Sequence, residues 1–418
     1  MNEFFYRNGE LYCEDVSVTK IAGEVGTPFY LYSSDALISR FKAYDQAFSG
    51  SSHLICYAVK ANSNLAVLNL LAGLGSGADI VSGGELRRAL RAGIEAASIV
   101  YSGVGKTEQE IRQAIEAGIL MFNVESMQEL DVITRQAGRL GLKAPISFRV
   151  NPDVDPMTHP YISTGLKKNK FGLSMSDARK AYRAAAARKE LRISGISCHI
   201  GSQLTELQPF VDAFRRIRTL LEEIESWDIE IKYIDTGGGL GIRYNDETAP
   251  EPAQYVRTLL KEAEGLNQTV IVEPGRSIAG NAGILVTRML YTKEHEGRRF
   301  YIVDAGMNDL ARPSLYQAYH AIFPVEETDT PLRETDVVGP ICETGDFLAR
   351  QRPMPDVPRG SLLAVMSAGA YGFTMSSNYN SRPRIPEVMV KGDRFQVVRS
   401  REGFEHVIRG ERLFELDC

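Results

Sequence analysis

The chain has 418 residues, with 48 Lys+Arg against 53 Asp+Glu and a formal charge of −5. Hydrophobic residues make up 44% and charged residues 24%, which excludes a disordered chain and allows two domains with cores of their own. The mild acidity argues against a nucleic-acid partner or an anionic membrane surface, and no apolar run reaches the ~20 residues that span a bilayer.

The first residues, Met1–Glu10, lack the basic and apolar regions of a secretory leader. The five cysteines, Cys13, Cys56, Cys198, Cys342 and Cys418, are scattered and form no C-x-x-C pair. The six histidines show no H-E-x-x-H spacing. These patterns point to a reducing, cytoplasmic compartment and to no structural metal. Glu10–Val16 reads as a strand within an N-terminal segment of residues 1–30, and it is expected to join a C-terminal sheet.

Between about residue 53 and residue 276, eight short apolar runs alternate with helix-like stretches. The runs are His53–Val59, Ala78–Val81, Ser98–Tyr101, Leu120–Val124, Pro145–Val150, Ser194–His199, Ile231–Asp235 and Thr269–Glu273. Most are rich in Ile and Val, as strands buried on both faces of a parallel sheet require. Segments between them, such as Gly84–Arg91 and Lys106–Ala117, carry apolar residues at three- and four-residue spacing. Eight strand–helix units in about 220 residues predict a (β/α)8 barrel over residues 31–280. A doubly wound sheet is the rival, but no G-x-G-x-x-G follows the first strand. The Pro-containing segment Asn151–Lys170 is expected over the barrel mouth. From 281 to 418 the pattern changes to Ile284–Tyr291, Phe300–Asp304, Asp336–Gly339, Ser361–Met366 and Phe395–Arg399, strands without long helices between them, so a mostly β domain follows.

In such a barrel the chemistry sits where the strands end. The first run leads into Lys60, and a lysine at the end of a buried strand is desolvated and suited to Schiff-base chemistry. The sixth ends in His199 and Ser202, an imidazole and a small donor. The seventh leads into Gly237, Gly238, Gly239 and Gly241, where backbone N–H groups can approach an anion. The eighth ends in Glu273, Gly275 and Arg276, a carboxylate, a tight turn and a guanidinium suited to phosphate. An amine, an acid for a ring nitrogen and a phosphate cradle together favour pyridoxal phosphate. A sugar-phosphate enzyme would use the cradle and Arg276 but has less need of Glu273.

Residues 57–62 (YAVKAN), 199–203 (HIGSQ), 235–241 (DTGGGLG) and 273–276 (EPGR) resemble the alanine-racemase-like barrel family of pyridoxal-phosphate decarboxylases. Residues 303–316 (VDAGMNDLARPSLY), 339–349 (GPICETGDFLA) and 369–388 (GAYGFTMSSNYNSRPRIPEV) narrow the resemblance to its diaminopimelate decarboxylases, over nearly the whole chain. The resemblance implies that Lys60 carries the cofactor, that Glu273 pairs with its ring nitrogen and that His199 stacks on the ring. It implies that Ser202, Gly239, Gly275, Arg276 and Tyr371 surround the phosphate, with Asp79 and Arg149 nearby. Arg276, Arg312 and Tyr316 are to hold the carboxylate of the substrate's non-reacting centre, Glu343 its ammonium, and Cys342 is to return a proton after CO2 leaves. Tyr371 is expected in the substrate site as well. The substrate implied is meso-diaminopimelate, decarboxylated at its D-centre to L-lysine. A decarboxylase of D-ornithine or D-lysine type and a non-catalytic cofactor-binding relative are the alternatives. The family further implies a homodimer whose two subunits complete each other's sites.

Overall fold

The computed structural model describes residues 4–154 and 170–414, so most of the segment expected over the barrel mouth, and Cys418, lie outside the described residues. The chain divides into two compact units, Ala36–Gly280 and the combination of Met1–Asp35 with Asn281–Cys418. Among the described residues no helix is long and apolar enough to cross a membrane.

Four strands precede the first unit: β1 (Phe4–Arg7), β2 (Glu10–Cys13), β3 (Val16–Ser17) and β4 (Phe29–Ser33). The first unit is then built from β5 (His53–Ala58), β6 (Gly77–Ile80), β7 (Ile99–Tyr101), β8 (Met121–Val124), β9 (Ala144–Arg149), β10 (Leu191–Ser197), β11 (Tyr233–Asp235) and β12 (Thr269–Val272). These eight strands are parallel, and they close into a barrel through the β12–β5 and β9–β10 ladders. Every residue of β8 and β9 is buried, because helices cover the outside and side chains fill the inside.

Polar caps fix where each helix starts after its strand. The Ser82 hydroxyl accepts from the Glu85 N–H, Ser126 does the same for Glu129, and Thr107 forms a reciprocal box with Glu110. The strand-to-helix turns are therefore short and rigid at the barrel's C-terminal rim. Five strands, β5, β6, β9, β10 and β12, end one or two residues earlier than the apolar runs suggest. After Ala58 the chain turns into a 3-10 segment, Val59–Ala61, and after Ser197 it leaves the sheet, so Lys60 and His199 lie on the rim rather than in the wall.

The second unit adds β13 (Gly283–His295), β14 (Arg298–Val303), β15 (Ile322–Pro324), β16 (Leu332–Val338), β17 (Phe347–Pro355), β18 (Leu362–Val365), β19 (Glu387–Lys391) and β20 (Arg394–Arg399). Its main sheet runs β17-β16-β14-β13-β4-β19-β20, with β18 pairing both β13 and β15. The expectation for Glu10–Val16 needs correction. That stretch breaks at Glu14, whose φ is +51°, and β1, β2 and β3 make a small antiparallel sheet of their own. Its ties to the C-terminal part include the Glu10–Glu326 bridge and the bond from the Leu11 N–H to the Val325 carbonyl. The N-terminal strand that enters the main sheet is β4, fully buried between β13 and β19. Residues 31–35 thus belong to this unit and not to the barrel.

Glu14 fastens these pieces. Its carboxylate is buried and accepts from Ser33 Oγ at 2.7 Å, the Asp35 N–H at 3.0 Å and the Gly392 N–H at 2.6 Å. Truncating it removes the acceptor of two partly buried N–H groups and of the Ser33 hydroxyl, each bond worth about 1 kcal/mol. Glu14→Ala should therefore lower the urea midpoint of unfolding by several times the effect of Glu95→Ala, an exposed site; equal midpoints would show that the carboxylate does not join the three segments.

Candidate active site

A cavity of about 190 Å³ opens at the C-terminal ends of the barrel strands, with Lys60, Ser102, Arg149, His199 and Glu273 in its lining. Lys60 Nζ forms an ion pair with Asp79 Oδ2 on the neighbouring strand β6. Asp79 is fully buried, and its second oxygen has no hydrogen-bond partner among the described residues.

Glu273 follows β12 and Asp235 ends β11, so adjacent strands bring two buried carboxyls together. Burial pushes Glu273 well above the usual carboxylate range, and the Asp235 and Asp79 charges add to the rise while Lys60 opposes it. Burial also raises Asp235 to about 6, against hydrogen bonds from Asn123 and Gly237 that favour its charged form. Asn123 Nδ2 donates to Asp235 Oδ2 at 2.8 Å and to Ser102 Oγ at 3.1 Å, and Ser102 in turn lies 3.5 Å from Glu273 Oε1. The Ser147 hydroxyl donates to Asn123 Oδ1, which fixes the amide's orientation. A continuous polar network therefore lines the barrel interior beneath the cavity.

His199 Nδ1 accepts the Gly238 N–H at 3.2 Å, which leaves the proton of the neutral ring on Nε2. Burial pushes its pKa well below the usual value, and the charges of Arg149 and Lys60 lower it further. Arg149 is paired with Glu125 at 2.8 Å, and its guanidinium lies 4.7 Å from the centroid of the Phe171 ring.

The glycine tract has two steric reasons for its composition. A Cβ on Gly238 would stand 2.2 Å from the Glu273 carbonyl oxygen. Gly239 adopts φ +114°, and its Cβ would meet the Gly201 carbonyl at 2.5 Å. Gly275 approaches Ala58 and Ala61 as closely, and Arg276 then opens a short helix. Arg276 Nη1 donates to the Tyr244 hydroxyl at 2.5 Å and Nη2 to Ser202 Oγ at 3.2 Å. These residues form one corner of the rim.

The remaining candidates belong to the other unit. Arg312 and Tyr316 bound the short helix Arg312–Tyr316, and Ser314 Oγ donates to the Gly345 carbonyl at 2.6 Å, tying that helix to the loop of Cys342 and Glu343. Cys342 is exposed, and its N–H donates to Asn380 Oδ1 at 3.0 Å. The Tyr379 hydroxyl donates to Glu343 Oε1, and that bond raises the tyrosine's pKa. Asp346 accepts the N–H groups of Met307 and Ile341, both at 2.6 Å, and so shapes the loop from inside. Tyr371 sits apart in sequence, with a left-handed φ of +55°.

Asn123, Asp235, Tyr244, Tyr379 and Asn380 were not singled out by the sequence. Asp235 closes its run, so the strand-end rule could have found it. Asn123 sits one residue inside its run, and Tyr244 follows the glycine tract; pattern alone does not distinguish either.

The model for the pyridoxal-binding domain of pyridoxal-dependent decarboxylases matches residues 34–280. A diaminopimelate decarboxylase of Pseudomonas aeruginosa is 52% identical over 413 residues, covering 99% of each chain. One from Aquifex aeolicus is 52% identical over 404 residues, covering 96% of each. Among solved structures, the diaminopimelate decarboxylase of Helicobacter pylori complexed with L-lysine superposes with a TM-score of 0.91 at 44% identity, covering 94% of this chain and 98% of that one.

A carboxyl whose pKa rises on folding holds its proton longer in the folded state, so stability falls as the pH climbs from the ordinary value to the folded one. For Asp235 that window runs from 3.8 to about 6. Cofactor-free wild type should lose stability relative to Asp235→Asn as the pH climbs through this window, in urea unfolding at each pH. Parallel curves throughout would remove the extra proton from this pair.

Proposed function

Since the chain belongs to the diaminopimelate decarboxylases, within the pyridoxal-dependent decarboxylase family, we propose that it removes CO2 from the D-centre of meso-diaminopimelate and releases L-lysine, completing lysine biosynthesis. The observation that carries this reading is a buried carboxyl, Glu273, lining the same barrel cavity as Lys60.

The residues present fit pyridoxal phosphate. The glycine tract leaves no space for a Cβ where a phosphate needs close backbone approach, and Arg276 with Ser202 supplies cationic and hydroxyl donors at the same corner. The buried Asp79 Oδ1 offers an acceptor without a described partner. Ser202, Gly239, Gly275 and Arg276 would hold the phosphate, with Tyr371 assigned to the same group. Lys60 would bind the carbonyl carbon, Glu273 the ring nitrogen, and His199 the ring face. When bound, pyridoxal phosphate supplies an electron sink for the pair left by the departing carboxylate.

The protein's part is to hold protons and charges in place. Glu273 keeps a proton at its carboxyl because burial and two acidic neighbours oppose ionisation, and that proton is available to a ring nitrogen. His199 stays uncharged and is oriented by the Gly238 N–H, so it packs against the ring without competing for charge. Arg312 and Tyr316 are assigned to the far carboxylate and Glu343 to the far ammonium. Together they read a complete amino-acid group, which ornithine and lysine lack beside their terminal amine. The Cys342 thiol, exposed in this chain, is assigned to return the proton to the carbon that loses CO2.

We further assign the protein to the cytoplasm, supported by the thiol form of Cys56, Cys198 and Cys342, and to a twofold homodimer with shared sites. Lys60 and Cys342 belong to different units of the fold, which is the arrangement that a shared site uses.

A CO2-release assay with separated diaminopimelate stereoisomers tests the function. The meso isomer should be the substrate and L-lysine the product, and faster turnover of D-ornithine or D-lysine would overturn the assignment. Glu343→Gln should lower kcat/KM for the meso isomer by about 2 kcal/mol or more, since it leaves an ammonium poorly paired; an unchanged value removes Glu343 from the site. Subunits carrying Lys60→Ala, mixed with subunits carrying Cys342→Ala, should regain about one quarter of wild-type activity, because half the dimers are mixed and one site in two is then intact. No recovery after verified subunit exchange would refute shared sites.

A further inference from the structure

Arg312 is 6% exposed, and a buried guanidinium presents one edge to a ligand only when its other edge is held. Arg312 Nη1 lies 2.9 Å from Nε2 of His320, a fully buried side chain. A guanidinium has donors and no acceptor, so the imidazole Nε2 accepts. The other ring nitrogen, Nδ1, then carries the proton and donates to the Met366 carbonyl at 2.8 Å. The two bonds together select one tautomer of an uncharged ring.

The chain around His320 is pinned as firmly as the ring. Arg352 Nη1 donates to the His320 carbonyl at 3.0 Å, and its guanidinium stacks 3.7 Å from the centroid of Tyr319. The Met366 N–H donates to the Ala321 carbonyl at 2.8 Å. Main chain and side chain therefore fix the acceptor in space before any ligand arrives. The acceptor is also neutral. A carboxylate at this position would hold Arg312 equally well but would cancel the positive charge that an anionic ligand needs.

We propose that His320 is a positioning residue for carboxylate recognition, its Nε2 orienting Arg312 toward the carboxylate at the non-reacting centre of the substrate. The proposal rests on the assignment of Arg312 given above. His320 acts through Arg312, so its loss should weaken ligands that carry the far carboxylate and spare those that lack it.

Calorimetric titration of the holoenzyme with L-lysine and with 1,5-diaminopentane, the same carbon chain without the carboxylate, tests this. His320→Asn keeps an amide donor for Met366 but places no acceptor at the Nε2 position. It should weaken L-lysine about tenfold and leave 1,5-diaminopentane within about twofold, the loss expected for one hydrogen bond to a charged group. His320→Gln, whose Oε1 reaches that position, should recover most of the L-lysine affinity. Equal behaviour of the Asn and Gln variants, or a matched loss of both ligands, overturns the proposal. Arg312→Gln separates the two levels of the argument. If it leaves the ratio of the two affinities unchanged, the assignment of Arg312 fails. If it collapses that ratio while His320→Asn preserves it, Arg312 stands and His320 has no positioning role.

Discussion

Two buried carboxyl groups, Asp235 at the end of β11 and Glu273 just after β12, lie close together at the barrel mouth, and charging both there is costly. The rest of the barrel mouth is organised around that constraint. Asn123 and the Gly237 N–H favour a charged Asp235, while among the described residues the Ser102 hydroxyl, at 3.5 Å, is the donor toward Glu273 Oε1. The asymmetry sends the retained proton toward Glu273. It also explains why the next turn is made of glycines: with the Glu273 main chain packed directly on Gly238, backbone is the only material that fits.

Within each unit the charged groups divide by the kind of partner they have. Arg149 with Glu125, and Lys106 with Glu129, are opposite charges that neutralise each other within the wall of the barrel. Arg276 and Arg312, by contrast, are oriented by neutral acceptors, the first by Tyr244 and Ser202, the second by His320. A neutral partner restricts the geometry of a cation and leaves its charge in force.

The barrel was legible in the amino-acid sequence because each strand is buried on both faces and so reads as an apolar run. Lys60, His199, Glu273 and Arg276 were legible because they interrupt or close those runs. Asn123 was not, since a polar residue facing a barrel interior looks the same in sequence as one facing solvent. The β strands outside the barrel were harder. β17 contains Arg350, Gln351, Arg352 and Pro353 with half of its residues exposed or nearly so, and it carries no clear alternation of polar and apolar positions. β4 has the opposite difficulty: Phe-Tyr-Leu-Tyr is apolar enough to be the start of a barrel, and nothing in those residues names the distant strands they pair with. Local pattern records burial, whereas strand partnership across hundreds of residues is decided by the assembled sheet.

The central place of β4 has a consequence for synthesis. Its hydrogen-bonding neighbours, β13 and β19, begin at Gly283 and Glu387, so one flank of Phe29–Ser33 waits for the whole barrel to be made and the other stays unsatisfied until nearly the whole polypeptide has emerged. At about 5–20 residues per second, the second neighbour follows β4 out of the ribosome by roughly 20–70 s. All strands of the barrel leave in that interval, in an order that lets successive neighbours pair as they appear. The aromatic strand is thus left waiting beside a barrel that can already close, and that interval is when the nascent chain most needs protection from association through an exposed edge.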